Sequence, residues 1–426
     1  MKGGWWRFER SWCGWALGAV VVLGVLLRVH HVLCLADLPT STHPTMDALY
    51  HAQWAHSMVA GITFVDEAYF RLPLYPFFLS ICERLLGPDL EVWRLAQAGL
   101  GALTVLGTFA LGRRALGELQ GLGAALVMAS AWLPVHFDTQ LLIPALFLPL
   151  LTWALWATLG ALRDASSRSG ALAGLLWGLA TLARPTALIM APAFALLGLR
   201  NGSRRVALLP LLLVWGASLV PVAIRNRVVG GEWVPLATQA GVNLWIGNNP
   251  ASDGSAATVP GTRAGWWEGF HDARALANQE AGRSLSPAEV SAHYRGKALA
   301  WALDEPLEFL QHLGWKARLA FANRELGNNL EPGWFGLAYD PLLFKGWLPF
   351  ALLHALAVLG AWRLVRRSRG SDTDPSAGWR TPLVVFPWVY LAGVVAFFVC
   401  ARFRLPIWPA LAVLAMEGMA GGALGL

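Results

Sequence analysis

Apolar residues run along most of this chain in blocks, each closed by a short polar or proline-containing break. The blocks lie at about 12–33, 95–111, 121–135, 141–162, 171–183, 186–199, 206–224, 346–362, 383–401 and 405–419. A hydrocarbon core is crossed by roughly 20 apolar residues of helix, so the pattern predicts about ten transmembrane helices. Blocks 171–183 and 186–199 flank Pro185. They read as a pair or as one kinked helix, because proline removes a helix hydrogen bond.

Two stretches between the blocks are long and polar, 35–94 and 225–345. Within the second, 233–246 is rich in β-branched and aromatic residues and reads as strand or extended chain. Ser286-Pro287-Ala288-Glu289 is a capping box with proline at the first helical position, so a helix is expected from there to about 303. Another is expected from Glu305-Pro306 to before Gly327. Its Phe309, Leu310, Leu313, Trp315, Leu319 and Phe321, beside Lys316 and Arg318, give it an interfacial, amphipathic character. The expected fold is an all-α polytopic membrane protein carrying a small mixed cap. It divides into a transmembrane module (1–224, with its first outer loop at 35–94), the cap (225–345) and the C-terminal helices (346–426).

Charge orients these elements. Basic residues cluster before the first block (Lys2, Arg7, Arg10) and in alternate loops: Arg113 and Arg114; Arg163 and Arg168; Arg200, Arg204 and Arg205; Arg363, Arg366, Arg367 and Arg369. Loops rich in Lys and Arg stay cytoplasmic, so both termini are expected on the cytoplasmic side of the inner membrane and the two long stretches outside. The same parity excludes 72–86 as a span; from Pro73-Leu74-Tyr75-Pro76 it reads as an interfacial or re-entrant helix. The first block has no small-residue cleavage site and reads as a retained anchor.

With 56% hydrophobic and 14% charged residues, 23 Trp and a mean hydropathy of +0.49, a soluble globular protein is excluded. The net charge of +7 reports topology and gives no support to a nucleic-acid partner. Cys13, Cys34, Cys82 and Cys400 show no metal-ligand spacing, so no structural zinc site is expected.

The chemistry of the chain starts at Asp47, a lone carboxylate just outside the first block. A positioned carboxylate suits a general base; Asp is also a favoured helix N-cap, here for 48–59. Arg184 lies between two apolar blocks, where a charge marks a functional site unless it snorkels to the interface. Arg71, Arg225, Arg227, Arg402 and Arg404 are phosphate ligands by chemistry and interfacial anchors by position. Gly247-Asn248-Asn249-Pro250 folds over a ligand or forms an ordinary turn. Asp138 lines a cavity or caps the following helix. Arg324, beside Glu325, is a further site candidate.

Several of these residues fall in a recurrent order: Asp47-Ala48-Leu49-Tyr50; Phe70-Arg71-Leu72-Pro73-Leu74-Tyr75-Pro76; Leu182-Ala183-Arg184-Pro185; Pro221 to Arg225-Asn226. They continue with Gly241-Val242-Asn243 to Pro250, Asn323-Arg324-Glu325 and Arg402-Phe403-Arg404-Leu405-Pro406. The order resembles the bacterial GT-C glycosyltransferases, relatives of the protein O-mannosyltransferases and the lipid A aminoarabinose transferase, over nearly the whole chain. The resemblance implies inverting transfer of a sugar from a polyprenyl-phosphate donor to a lipid, glycan or protein acceptor on the outer face. It makes Asp47 the catalytic residue; by the chemistry of their guanidiniums, Arg71, Arg184, Arg402 and Arg404 are the expected donor-phosphate ligands. Tyr50, Asp138, Arg225, Asn226, Asn243, Asn248, Asn249 and Arg324 form the substrate-facing set.

Three positions depart from the family pattern. Ala48 follows Asp47 where protein mannosyltransferases carry an acid, and Arg71 and Ile143 stand where relatives carry acids. A bound metal is therefore not expected, and transfer is expected to be metal-independent. The rival reading, a lipid or glycan transporter, calls for charges at mid-membrane and an inverted repeat; here the polar groups gather at one face.

Overall fold

The computed structural model describes residues 11–199, 204–329, 331–346, 348–369 and 377–420. It is 78% helical, with no strand among the described residues. Lys2, Arg7, Arg10, Arg200 and the loop at 370–376 lie outside the described residues.

The long apolar helix α1 (Ser11–Leu35) leads through the single turn α2 (Pro39–Thr42) into α3 (Met46–Ala60) and α4 (Leu74–Leu86). A helical bundle follows: α5 (Leu90–Ala115), α6 (Glu118–Ser130), α7 (Trp132–Asp138), α8 (Pro144–Asp164), α9 (Ser167–Ala183), α10 (Met190–Gly198) and α11 (Arg205–Val228). The segment expected as a cap forms α12 (Gln239–Gly247), α13 (Trp266–Ala281), α14 (Pro287–Asp304), α15 (Pro306–Phe321), α16 (Pro332–Tyr339) and α17 (Pro341–Phe344). The chain then enters α18 (Phe350–Arg369), α19 (Thr381–Ala396), the turn α20 (Ala401–Arg404) and α21 (Trp408–Ala420).

Among the described residues, five helices are long and apolar enough to cross a membrane: Trp12–Leu35, Leu90–Ala115, Pro144–Asp164, Arg205–Val228 and Gly378–Ala396. The pair α6 and α7, bent by 59°, makes a sixth if it is one span. Of the remaining blocks, α9, α10 and α21 form shorter helices, and α18 is long but carries four arginines in its last seven residues. Arg184 leaves α9 in an extended conformation (φ −152°, ψ 123°) and Pro185 opens a 3₁₀ turn, so the expected break at 184–185 is a real one. Beyond α20, Pro406 lies in a further 3₁₀ turn that precedes α21.

Small residues let these helices meet. On α9, a Cβ at Gly174 would stand 2.3 Å from the Leu211 carbonyl of α11, and on α18 one at Gly360 would stand 1.9 Å from the Leu414 carbonyl of α21. Without a hydrophobic driving force in lipid, such close backbone approach is how membrane helices gain packing energy.

The expected strand at 233–246 is instead an irregular, bent 233–237 that turns at Thr238 into α12. Val242 and Ile246 are one helical turn apart and both are buried against Val290, Tyr294 and Phe398, so a 3.6-residue period overrides β-branched composition. The expected mixed cap is therefore helical. The capping box behaves as read: Ser286 Oγ accepts from the Glu289 amide at 3.4 Å, and Glu289 accepts from the Ser286 amide at 2.9 Å.

Candidate active site

Asp47 sits in the first turn of α3. Its carboxylate does not cap that helix, because Thr45 holds the N-cap position. It accepts instead from two guanidiniums brought in from distant segments, Arg71 at 2.8 Å and Arg402 on its other oxygen. Burial alone pushes a carboxyl pKa up; here Arg71 and Arg402 more than offset this and hold Asp47 well below the usual carboxylate range. The preceding residue, Met46, adopts φ 52°, which is strained for a residue with a Cβ. Strain of this kind persists where the surroundings over-determine the backbone.

Arg71 is held by the loop between α3 and α4. Asn226, fully buried on α11, accepts from the Tyr69 amide at 3.0 Å and donates to the Val234 and Leu236 carbonyls at 3.0 and 2.9 Å. Arg225 donates to the Val65 and Glu67 carbonyls and stacks 3.9 Å over Tyr69. The Arg225-Asn226 pair thus fixes the loop that aims Arg71. Trp266 and Tyr50 then back the Arg71 guanidinium, 4.8 and 5.6 Å from their ring centres.

Arg402 lies on α20 and also donates to Asn328. Arg184 stacks 3.9 Å over Phe403, and its one hydrogen bond, to the Arg402 carbonyl, is long at 3.5 Å. It has no carboxylate partner among the described residues. Three guanidiniums therefore face one carboxylate.

This cluster opens into a cavity of about 780 Å³ lined by Asp47, Arg71, Arg184, Arg402, Asn243, Asn328 and Asn329 at the polar side. Leu188, Ile189, Val389, Val394 and Phe398 line its apolar side, and Trp266, Trp267 and Phe270 form a wall. Several hydrogen-bonding atoms in and beside this cavity are unused. The Nε of Arg71 and of Arg402, the amide nitrogens of Asn328 and Asn329, and both ring nitrogens of His51 are buried without partners. His51, one turn beyond Asp47, is only 1% exposed; burial and then the Arg71 charge lower its pKa to about 3, so it is neutral at pH 7.

Other expected site residues lie elsewhere. Arg404 is fully buried and donates to the Leu319, Ala320, Ala322 and Arg324 carbonyls and, at 2.7 Å, to Glu325. It caps the end of α15 and does not line the cavity, which corrects its reading as a phosphate ligand. Arg324 is exposed and contributes only that carbonyl. Asn248 donates to Leu244 and Ala396 carbonyls and accepts from Lys316 at 2.8 Å; Asn249 bonds within its own turn. The Gly247–Pro250 segment is thus a turn, not a cover over a ligand. Asp138 is buried against Arg28 at 2.7 Å, within the bundle and off the cavity lining. Tyr50 is buried behind Arg71, so its reach to substrate is indirect. Asn328, Asn329 and Trp266 are cavity residues that sequence reasoning missed. The only signal was an Asn pair just beyond Asn323-Arg324-Glu325.

The geometry defines a guanidinium-lined cavity beside a clamped carboxylate in a multi-helical membrane protein. Residues 66–225 match the family model described as dolichyl-phosphate-mannose-protein mannosyltransferase; the match includes Arg71, Arg184 and Arg225. The fold is similar to that of the Archaeoglobus fulgidus oligosaccharyltransferase in its apo form, with a TM-score of 0.57 at 13% identity, covering 97% of this chain and 51% of that one. It is similar also to the oligosaccharyltransferase AglB of the same organism, in complex with an inhibitory peptide and a dolichol-phosphate, with a TM-score of 0.55, 13% identity and coverage of 97% and 50%. ArnT from Cupriavidus metallidurans, bound to undecaprenyl phosphate, aligns with a TM-score of 0.42 at 15% identity over 98% of this chain and 79% of that one. No curated protein matches the chain in sequence. The chain spans about half the length of the archaeal oligosaccharyltransferases, and it shares their fold over that part.

Proposed function

We propose that this protein is an inverting membrane glycosyltransferase. It moves a sugar from a polyprenyl-phosphate donor to a hydroxyl of a lipid, glycan or protein acceptor on the outer face of the inner membrane, with no metal required. The observation that carries the reading is the excess of buried guanidinium over carboxylate at one end of a cavity whose other side is apolar. That combination fits a phosphate joined to a hydrocarbon chain. The mannosyltransferase family match at 66–225 and the archaeal fold neighbour complexed with dolichol-phosphate support the same donor class.

In the reaction, Asp47 takes the proton from the acceptor hydroxyl as its oxygen bonds to the anomeric carbon. The bond from that carbon to the phosphate oxygen breaks, and polyprenyl phosphate leaves. The leaving group is already an anion, so it calls for cations more than for a proton donor. Arg184, Arg71 and Arg402 supply them. The clamp also ties base to donor. With the cavity empty, Arg71 and Arg402 make Asp47 a poor base; donor phosphate oxygens compete for both guanidiniums, so Asp47 gains basicity when donor is bound. Asn328 and Asn329 offer unused amide N–H groups to sugar hydroxyls.

The test is to supply membranes containing the protein with a defined polyprenyl-phosphate sugar and to follow acceptor mass. A hexose or pentose increment is expected, unchanged by a chelator. Absence of transfer with every polyprenyl-phosphate sugar supplied, from protein shown to be folded, would overturn the reading. Orientation is checked separately: Ser255→Cys should react with an impermeant maleimide in intact cells.

A further inference from the structure

At the C-terminal end of α1, three residues converge that have no role in the proposed transfer. His30 and Cys34 are one helical turn apart and share a face. Asp340, at the corner between α16 and α17, approaches them from far along the chain. The Sγ of Cys34 lies 3.4 Å from Nε2 of His30, and that nitrogen lies 3.7 Å from Oδ1 of Asp340. All three ligand atoms fall within 4.8 Å of one another. Zinc bonds of roughly 2.3 Å to sulfur and 2.0–2.2 Å to nitrogen and oxygen, in a tetrahedron, place neighbouring ligand atoms about 3.3–3.6 Å apart. Two of the three spacings already agree within about 0.1 Å of that range.

The carboxylate is held as a ligand of this kind is held. Asp340 Oδ2 faces Nδ1 of the buried His31 at 2.9 Å, and Nε2 of His31 faces Nδ1 of the buried His136 at 3.1 Å. One tautomer assignment satisfies the chain: His136 donates to His31, and His31 donates to Asp340. Oδ1 accepts only the Leu343 amide, at 3.3 Å, and keeps a lone pair toward His30 and Cys34. Buried partners that orient a ligating side chain are the usual support of a metal site. His30, with its side chain 54% exposed, leaves an open side.

We propose that His30, Cys34 and Asp340 bind a zinc-class divalent ion, with water at the fourth position. The thiolate, imidazole and carboxylate set is borderline-soft, which favours zinc over magnesium or calcium. The ion ties the α16–α17 corner to the end of α1. Sequence spacing could not show this, because Asp340 is so remote in sequence from the other two. The inference is independent of the transferase reading and of its metal-independence.

The full-length protein in detergent, stripped with a chelator and titrated with cobalt(II) alone at pH 7.5, should develop a thiolate-to-cobalt charge-transfer band that zinc(II) abolishes. Cys34→Ser should remove the band, and His30→Ala and Asp340→Asn should each weaken binding at least tenfold; the asparagine side chain keeps an oxygen that can accept from the Leu343 amide. A second readout is maleimide modification of Cys34, the one cysteine of the four that is not buried; zinc should slow it at least tenfold. Either cobalt binding that Cys34→Ser leaves unchanged, or unaltered labelling at saturating zinc, would overturn the site.

Discussion

Arg402 and Arg404 stand two residues apart on the same short turn, yet they do opposite things. Arg404 spends its terminal nitrogens on the carbonyls that close α15 and on Glu325, with no exposure at all. Arg402 meets Asp47 and Asn328 and lines the cavity, which Arg404 does not reach. One is a cap for a helix C-terminus, where cations and carbonyls suit each other. The other belongs to a polar cluster that opens on a cavity, where a ligand can complete its hydrogen bonding.

The widest separation between the two should come from Arg404→Met. It strands Glu325 beside four uncapped carbonyls, and breaking a buried pair from one side costs about 3 kcal/mol. Less folded protein and a lower Tm in detergent are expected, with transfer per folded molecule nearly unchanged. A normal Tm with lost transfer would erase the distinction.

Asp47→Asn should do the reverse. It is nearly isosteric, and since Asp47 caps nothing, the helix keeps its start. Arg71 and Arg402 lose their counter-charge but face the cavity, so the fall in Tm should be smaller than for Arg404→Met. Transfer should fall by roughly a hundredfold, the scale of a lost general base, with membrane insertion intact. Measuring both in one preparation decides it, because full activity would end the catalytic role.

How much of this contrast was readable in the sequence depends on distance along the chain. The break at Arg184-Pro185 and the start of α14 were legible because proline and the capping box act within a few residues. Asp47 was legible because no other acid falls between Asp37 and Asp66. The fate of Arg404 was not, since it depends on where α15 ends in space, and the composition of 402–404 is the same for a cap and a ligand. The strand expected at 233–246 failed because β-branched side chains also pack one turn apart on a helix. Asn328, Asn329 and Trp266 carry no periodic signal; only the fold brings them to Asp47.

His51 sharpens the comparison through pH. Its folded-state pKa of about 3 lies below the ordinary histidine value near 6.5. The unfolded chain therefore takes up a proton below about pH 6.5 that the folded protein refuses until about pH 3. Stability is complete above about pH 7 and falls as pH drops through that window, by about 2 kcal/mol at pH 5. Thermal unfolding in detergent at pH 7.5 and 5 should show that loss, and His51→Asn should shrink it. Equal losses in both proteins would mean that His51 is solvated or paired.

The smallest effect is expected from Arg184→Lys, and it bears most directly on what the cavity binds. Lysine keeps the charge but replaces a planar fork with a point charge, so it loses the paired contacts that a guanidinium makes to phosphate oxygens. It also loses the stacking on Phe403 that sets the guanidinium in place. Since Arg184 pairs with no carboxylate among the described residues, the change strands no buried partner, and Tm should stay within a degree or two. If Arg184 contacts the donor phosphate in both ground and transition states, transfer should drop about tenfold, roughly 1.4 kcal/mol, mostly as a higher KM for the polyprenyl-phosphate sugar. If it acts only on the charge that develops as phosphate leaves, kcat should carry the loss and KM should hold. Unchanged kcat and KM would return Arg184 to the part played by Arg404, a buried cation serving the fold.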